Sequence, residues 1–170
     1  MAVLEVVSYP NPLLKQKSKQ VEIFDEDLHH LLDDMFDTMR SRNGVGLAGV
    51  QVGVLKRVLL VNIPREDGEQ YKEDLLEIIN PVVLNKEGDI LWNEGCLSVP
   101  DFYEEVKRYH QITLGYQDRF GNEKVLQAED FLAVALQHEI DHLDGILFVD
   151  RLSILKRKKF QKELKKNQKG

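Results

Sequence analysis

Apolar residues along this chain follow two spacings, and the changes from one to the other mark out its helices and strands. Leu28, Leu31, Leu32, Met35, Phe36 and Met39 recur at the intervals of one helical face, and Asp25 or Asp27 stands where such a helix is capped. A first helix is therefore expected to run to about Arg42, stopped by Asn43-Gly44. Gly44-Val45-Gly46-Leu47-Ala48-Gly49 then reads as a glycine-rich loop leading to Gln51. Val58-Leu59-Leu60-Val61 and Ile78-Ile79-Asn80-Pro81-Val82-Val83 read as strands separated by an exposed, charged loop over residues 64–74. Further strands are expected around Ile90-Leu91-Trp92, over 106–116 and over 123–128, with Gly121 in the turn between the last two. Helical spacing returns near Ala128-Glu129-Asp130, continues through Phe131, Leu132, Val134, Ala135 and Leu136, and ends at Asp144-Gly145. A third helix is expected from Leu152, with Ile154, Leu155, Phe160 and Leu164 as its sparse apolar side. Nothing in 1–170 repeats, and no Pro/Gly-rich linker divides it, so the pattern predicts one α+β domain. Its strands should be mostly antiparallel and pack around the second helix, with the first and third helices at the two ends.

Composition narrows the class. A chain of 170 residues with 42 % hydrophobic and 31 % charged side chains can bury a core without a disulfide or a structural metal. No run approaches the roughly 20 apolar residues of a membrane span. The apolar start is short, carries Glu5 and lacks a basic lead or a cleavage site, so no export signal is read and a cytoplasmic monomer is expected. Cys96 is the single cysteine, which excludes an intrachain disulfide and leaves buried filler, nucleophile or metal ligand as its roles. Charge is uneven: residues 156–170 carry +7 while the whole chain carries −6, which leaves −13 on residues 1–155. A basic end on an acidic body suits contact with a polyanion, although a solvated helix end has the same composition.

The chemistry concentrates in His138-Glu139-Ile140-Asp141-His142. On a helix, His138 and His142 stand one turn and about 40° apart, so both rings can reach one ion, with Glu139 at the flank to act on water. Two solvated histidines on an ordinary helix would show the same spacing. Phe131, Val134 and Ala135 fall on the same side, however, which places the pair on an apolar stripe where two rings need a partner. Cys96, in Glu94-Gly95-Cys96-Leu97-Ser98, can supply a third ligand, with Gly95 relaxing the backbone before it. A closed four-ligand site is hard to assemble from one Cys and the remaining His29, His30 and His110, which read as surface or hydrogen-bonded residues. An open position for water follows. The second helix is thus expected to be a central metal-binding helix.

Gly44-Val45-Gly46-Leu47-Ala48-Gly49-Val50-Gln51, Glu94-Gly95-Cys96-Leu97-Ser98 and Gln137-His138-Glu139-Ile140-Asp141-His142 together resemble, in order and separation, the three signature motifs of the peptide deformylases. The resemblance covers nearly the whole chain, with one departure: Gly49 follows Ala48 where the family usually has a second alanine. It implies a metal-dependent hydrolase that removes the formyl group from the N-terminal formylmethionine of newly made proteins. It further implies one divalent ion on Cys96, His138 and His142, with Fe2+ expected and Zn2+, Ni2+ or Co2+ possible in the same site. Glu139 would move the proton, and the Gln51 amide and the Leu97 N–H would stabilise the oxyanion. Val45, Phe131, Val134 and Ala135 would line a methionine pocket, and Gly46 and Gly95 would lie along the bound peptide. Glu94 and Arg108 match a pair that braces the cysteine segment. The basic helix over 152–170 resembles an extension that, in one bacterial subgroup, docks on the ribosome near the exit tunnel. A zinc peptidase is the competing reading of the His-Glu-x-x-His run taken alone.

Overall fold

The computed structural model describes residues 2–169, with side chains described to residue 166. Its first helix, α1 (Glu26–Ser41), begins where Asp25 caps it: the Asp25 carboxylate accepts from the Leu28 N–H at 3.1 Å. Leu28, Leu32, Met35, Phe36 and Met39 form its buried face. Seven strands follow: β1 (Gly46–Ala48), β2 (Val58–Val61), β3 (Leu76–Glu87), β4 (Ile90–Cys96), β5 (Val99–Arg108), β6 (Gln111–Gln117) and β7 (Glu123–Glu129). The helix α2 (Asp130–Leu143) comes next, then, after a 3-10 turn at Phe148–Arg151, α3 (Ile154–Lys169).

The strands form a five-stranded sheet in the order β1-β2-β3-β6-β7 and a separate β4-β5 hairpin, with every neighbouring pair antiparallel. Successive side chains of a strand point to opposite faces, and β2 is buried on both. Leu59 and Val61, with Ala48 of β1, pack under α2, whereas Val58 and Leu60, with Leu47, pack under α1. That double covering explains the unbroken apolar run of β2. A third cluster of Val99, Phe102, Val106, Phe148, Leu152 and Phe160 anchors α3 on the β5 side of the hairpin.

Three expectations are corrected. The single strand expected over 106–116 is two: β5 ends at Arg108, and β6 begins at Gln111 in the other sheet. The alternation runs across the break because Val106, Ile112 and Leu114 are all buried, though in different cores. The glycine-rich segment contains β1 and then a 3-10 turn, Gly49–Val52, rather than a loop alone. The cysteine segment is the tip of a hairpin, in which Cys96 pairs with Val99 across Leu97 and Ser98. Glycine at position 95 lets the Tyr103 ring lie against the hairpin, since a Cβ there would run into that ring, and its backbone has no positive φ.

Candidate metal centre

The second half of α2 is buried on nearly all sides, and its enclosed residues include four ionisable ones: His138, Glu139, Asp141 and His142. Such groups are stable inside a protein only when they are paired, hydrogen-bonded or bound to a metal. The two imidazoles meet Cys96. His142 Nε2 stands 3.2 Å from His138 Nε2 and 3.3 Å from Cys96 Sγ. One ligand atom from each of the three residues lies within 4.8 Å of the other two. Ligand atoms around a tetrahedral ion at roughly 2.0–2.3 Å are themselves separated by about 3.3–3.6 Å, so the spacing suits a divalent cation between them.

The charges around the rings support the same fit. Burial opposes a charge on His138, but Glu139, Cys96 and Glu94 outweigh it and push the ring well above its ordinary range. Burial, helped by His138 and Arg108, pushes His142 well below. One shared cation between the rings satisfies both. His138 is oriented from behind, since its Nδ1 meets Glu94 Oε1 at 2.9 Å, which leaves Nε2 directed at the centre. Burial works against the charge of Glu94, yet bonds from Arg108 and His138 hold its carboxyl below the usual range.

Glu139 lies beside this group without joining it. Its Oε2 is 4.0 Å from His138 Nε2, and its Oε1 is buried without a hydrogen-bond partner among the described residues. Burial pushes its carboxyl up to about 7, with His138 pulling the other way, so the group can hold or release a proton near neutral pH. A Cβ on Gly46 would stand 2.6 Å from Glu139 Oε2, so only glycine lets β1 pass this close. Gln51 approaches the centre at Cys96. Its Oε1 accepts from the Ala48 N–H at 2.9 Å, which turns Nε2 toward Cys96 Sγ at 3.5 Å and Ser98 Oγ at 3.2 Å.

These residues line a cleft of about 500 Å³. The structure brings Val45 and Gly46, then Gly95, Cys96 and Leu97, and Phe131, Val134 and Ala135 of α2 to its lining. Gln51, His138 and Glu139 also border it, while His142 lies fully buried beside them. His29, His30 and His110 stay outside: His29 Nε2 meets the Arg119 carbonyl, and His110 pairs with Asp130. Sequence reasoning missed Trp92, whose ring stacks on Phe131 with centroids 5.0 Å apart, and Tyr103, which flanks Gly95. Trp92 was visible only as an alternating position of β4, and its partner on α2 is 39 residues away in the chain. Asp141, on the same helix, bonds Arg108 and Arg151.

Similarity to known proteins agrees with this centre. Residues 3–158 match the family model described as polypeptide deformylase. The peptide deformylase of Helicobacter hepaticus is 61 % identical over 167 residues, covering 98 % of this chain and 92 % of that protein. That of Wolinella succinogenes is 60 % identical over 168 residues, 99 % of each. The crystal structure of a peptide deformylase from Legionella pneumophila superposes with a TM-score of 0.90 at 41 % identity, over 99 % of this chain and 96 % of that one. One from Ehrlichia chaffeensis, in complex with actinonin, gives 0.89 at 41 % identity over the whole of both chains. With its three motifs gathered around one cleft, this chain belongs to the polypeptide deformylase family.

Proposed function

We propose that this chain removes the formyl group from the N-terminal formylmethionine of nascent proteins, releasing formate, with Cys96, His138 and His142 as ligands of a catalytic ion. The observation that carries this reading is the convergence of those three ligand atoms beside the buried Glu139 and the oriented Gln51 amide. A divalent ion held there would supply Lewis-acid chemistry to water and to the formyl carbonyl. Glu139 takes the proton from the attacking water and passes it to the nitrogen of the leaving amine. Gln51 Nε2 and the backbone N–H of Leu97 donate to the oxygen on which charge develops. The methionine side chain fits the apolar wall of Val45, Phe131, Val134 and Ala135, with Trp92 stacked behind Phe131. The peptide runs in extended form along Gly46 and Gly95, where the lack of side chains permits a close approach.

Ferrous iron is the ion proposed. A mixed set of one thiolate and two imidazoles also accepts zinc, nickel or cobalt. A monomer is the state proposed. The substrate supports a cytoplasmic enzyme, and among the described residues no helix is long and apolar enough to cross a membrane. The face of α3 that carries Arg157, Lys158, Lys162 and Lys165 suits ribosomal RNA near the exit tunnel, where nascent chains emerge. Ile154 and Leu155, 73 % and 79 % exposed at the start of α3, offer an apolar contact beside that charge.

Anaerobic assay of the ferrous enzyme on a formyl-Met-Ala-Ser peptide tests the activity. Formate is expected in step with the loss of substrate. One equivalent of bound iron without formate release would overturn the reading.

A further inference from the structure

Behind the metal centre, charged side chains form a single line of ion pairs that reaches the surface. His138 Nδ1 meets Glu94 Oε1 at 2.9 Å, and Glu94 accepts from Arg108 Nε and Nη2, both at 2.7 Å. Arg108 Nη1 then donates to Asp141 Oδ2 at 2.6 Å. Asp141 in turn accepts from two nitrogens of Arg151, Nη2 on Oδ1 at 2.7 Å and Nε on Oδ2. The side chains of Glu94, Arg108 and Asp141 are 4 %, 2 % and 10 % exposed, whereas that of Arg151 is 43 % exposed. Two carboxylates and two guanidinium groups therefore balance, and only the last of them is open to water.

The series has a consequence for position. Asp141 Oδ2 is shared by the two arginines, so the fork of Arg151 settles where that oxygen stands, and Arg108 spans from it to Glu94. Removing Arg151 leaves a carboxylate in excess within a buried line, and the Asp141 side chain becomes free to turn toward solvent. Arg108 then loses a fixed anchor on one side, and the carboxylate that orients His138 is held by a looser partner. We propose that Arg151 is a positioning residue for the metal centre, acting through Asp141, Arg108 and Glu94 on the ring of His138. This rests on the reading that His138, with Cys96 and His142, holds the ion. The competing role for Arg151 is structural, pinning the 3-10 turn Phe148–Arg151 to α2.

Cobalt(II) in place of the native ion separates the two, because its visible absorption reports ligand geometry and its release to a chelator reports retention. Partners outside the ligand set typically change metal affinity 10- to 100-fold, and Arg151 stands further back, so Arg151→Met is expected to release cobalt about 3- to 10-fold faster than wild type. Its visible bands should also shift. Arg151→Lys, which keeps the charge but not the fork, should fall between the two. Arg119→Met removes an arginine paired with Asp33 and Glu77 outside this line, and should release cobalt as wild type does. The proposal is overturned if Arg151→Met shows wild-type release and wild-type bands, or if Arg119→Met matches it, since lost stability alone would then account for the effect. A wild-type chain that takes up no cobalt overturns the metal reading itself, and this proposal with it.

Discussion

Helices α2 and α3, of 14 and 16 residues, handle their charges in opposite ways. Helix α2 encloses His138, Glu139, Asp141 and His142, and most of their polar atoms meet a named partner across the fold. The described charges of helix α3 lie at the surface, where only Lys156 and Lys159 reach a carboxylate, Glu104, and the helix is held largely by Phe160, 3 % exposed, against the rings of Tyr9 and Phe102. Enclosed charges must be matched locally, so their partners disclose what they do. Charges in water are already satisfied, and they report only sign and density.

If that contrast is sound, substitutions of the enclosed polar groups around α2 should act on chemistry, and those of the charges on α3 should leave chemistry alone. The largest effect is expected from Glu139→Gln: turnover should fall about 100- to 10,000-fold while metal analysis still finds one equivalent. Retained turnover would leave Glu139 as packing. Gln51→Leu should cost about 2.7–4 kcal/mol of barrier, or about 100- to 1,000-fold in kcat, with metal retained. A rise in KM alone would instead assign Gln51 to ground-state binding.

Gly49→Ala sharpens the comparison from the stability side. A Cβ there would come within 2.9 Å of the Val54 carbonyl and 3.0 Å of a Val58 methyl. Overpacking of this kind typically costs about 1–3 kcal/mol, read by denaturant unfolding, while kcat should stay within about twofold of wild type because Gln51 keeps its bond to Ala48. The smallest effect on the free enzyme is expected from Lys158→Glu, Lys162→Glu and Lys165→Glu combined, which should leave peptide deformylation unchanged. Binding to ribosomes should weaken and lose most of its salt dependence. Unaltered, salt-independent binding would remove the basic face from that contact.

Legibility in the sequence followed the same division. Helices α1 and α2 could be read closely because apolar spacing, the Asp25 cap and the stop after Leu143 all agree. The pairing of His138 with His142 is local, one helical turn, and so was visible at once. Cys96 was visible only as a lone thiol, since its approach to His142 spans 46 residues and depends on the β4-β5 hairpin. The break between β5 and β6 was hidden because burial alternates in the same way when a chain passes from one core to another. The role of Gly95 was misread for a related reason, because the cause is a tyrosine ring on the partner strand. Arg151 gave no signal, as an arginine after a helix normally meets solvent.

The ligand set is the central claim, and X-ray absorption at the metal edge of the loaded protein tests it most directly. The account predicts one sulfur scatterer at about 2.3 Å with nitrogen or oxygen in the remaining positions. A shell of nitrogen and oxygen alone would contradict it, removing Cys96 from the centre and restoring the peptidase-like reading of the two histidines.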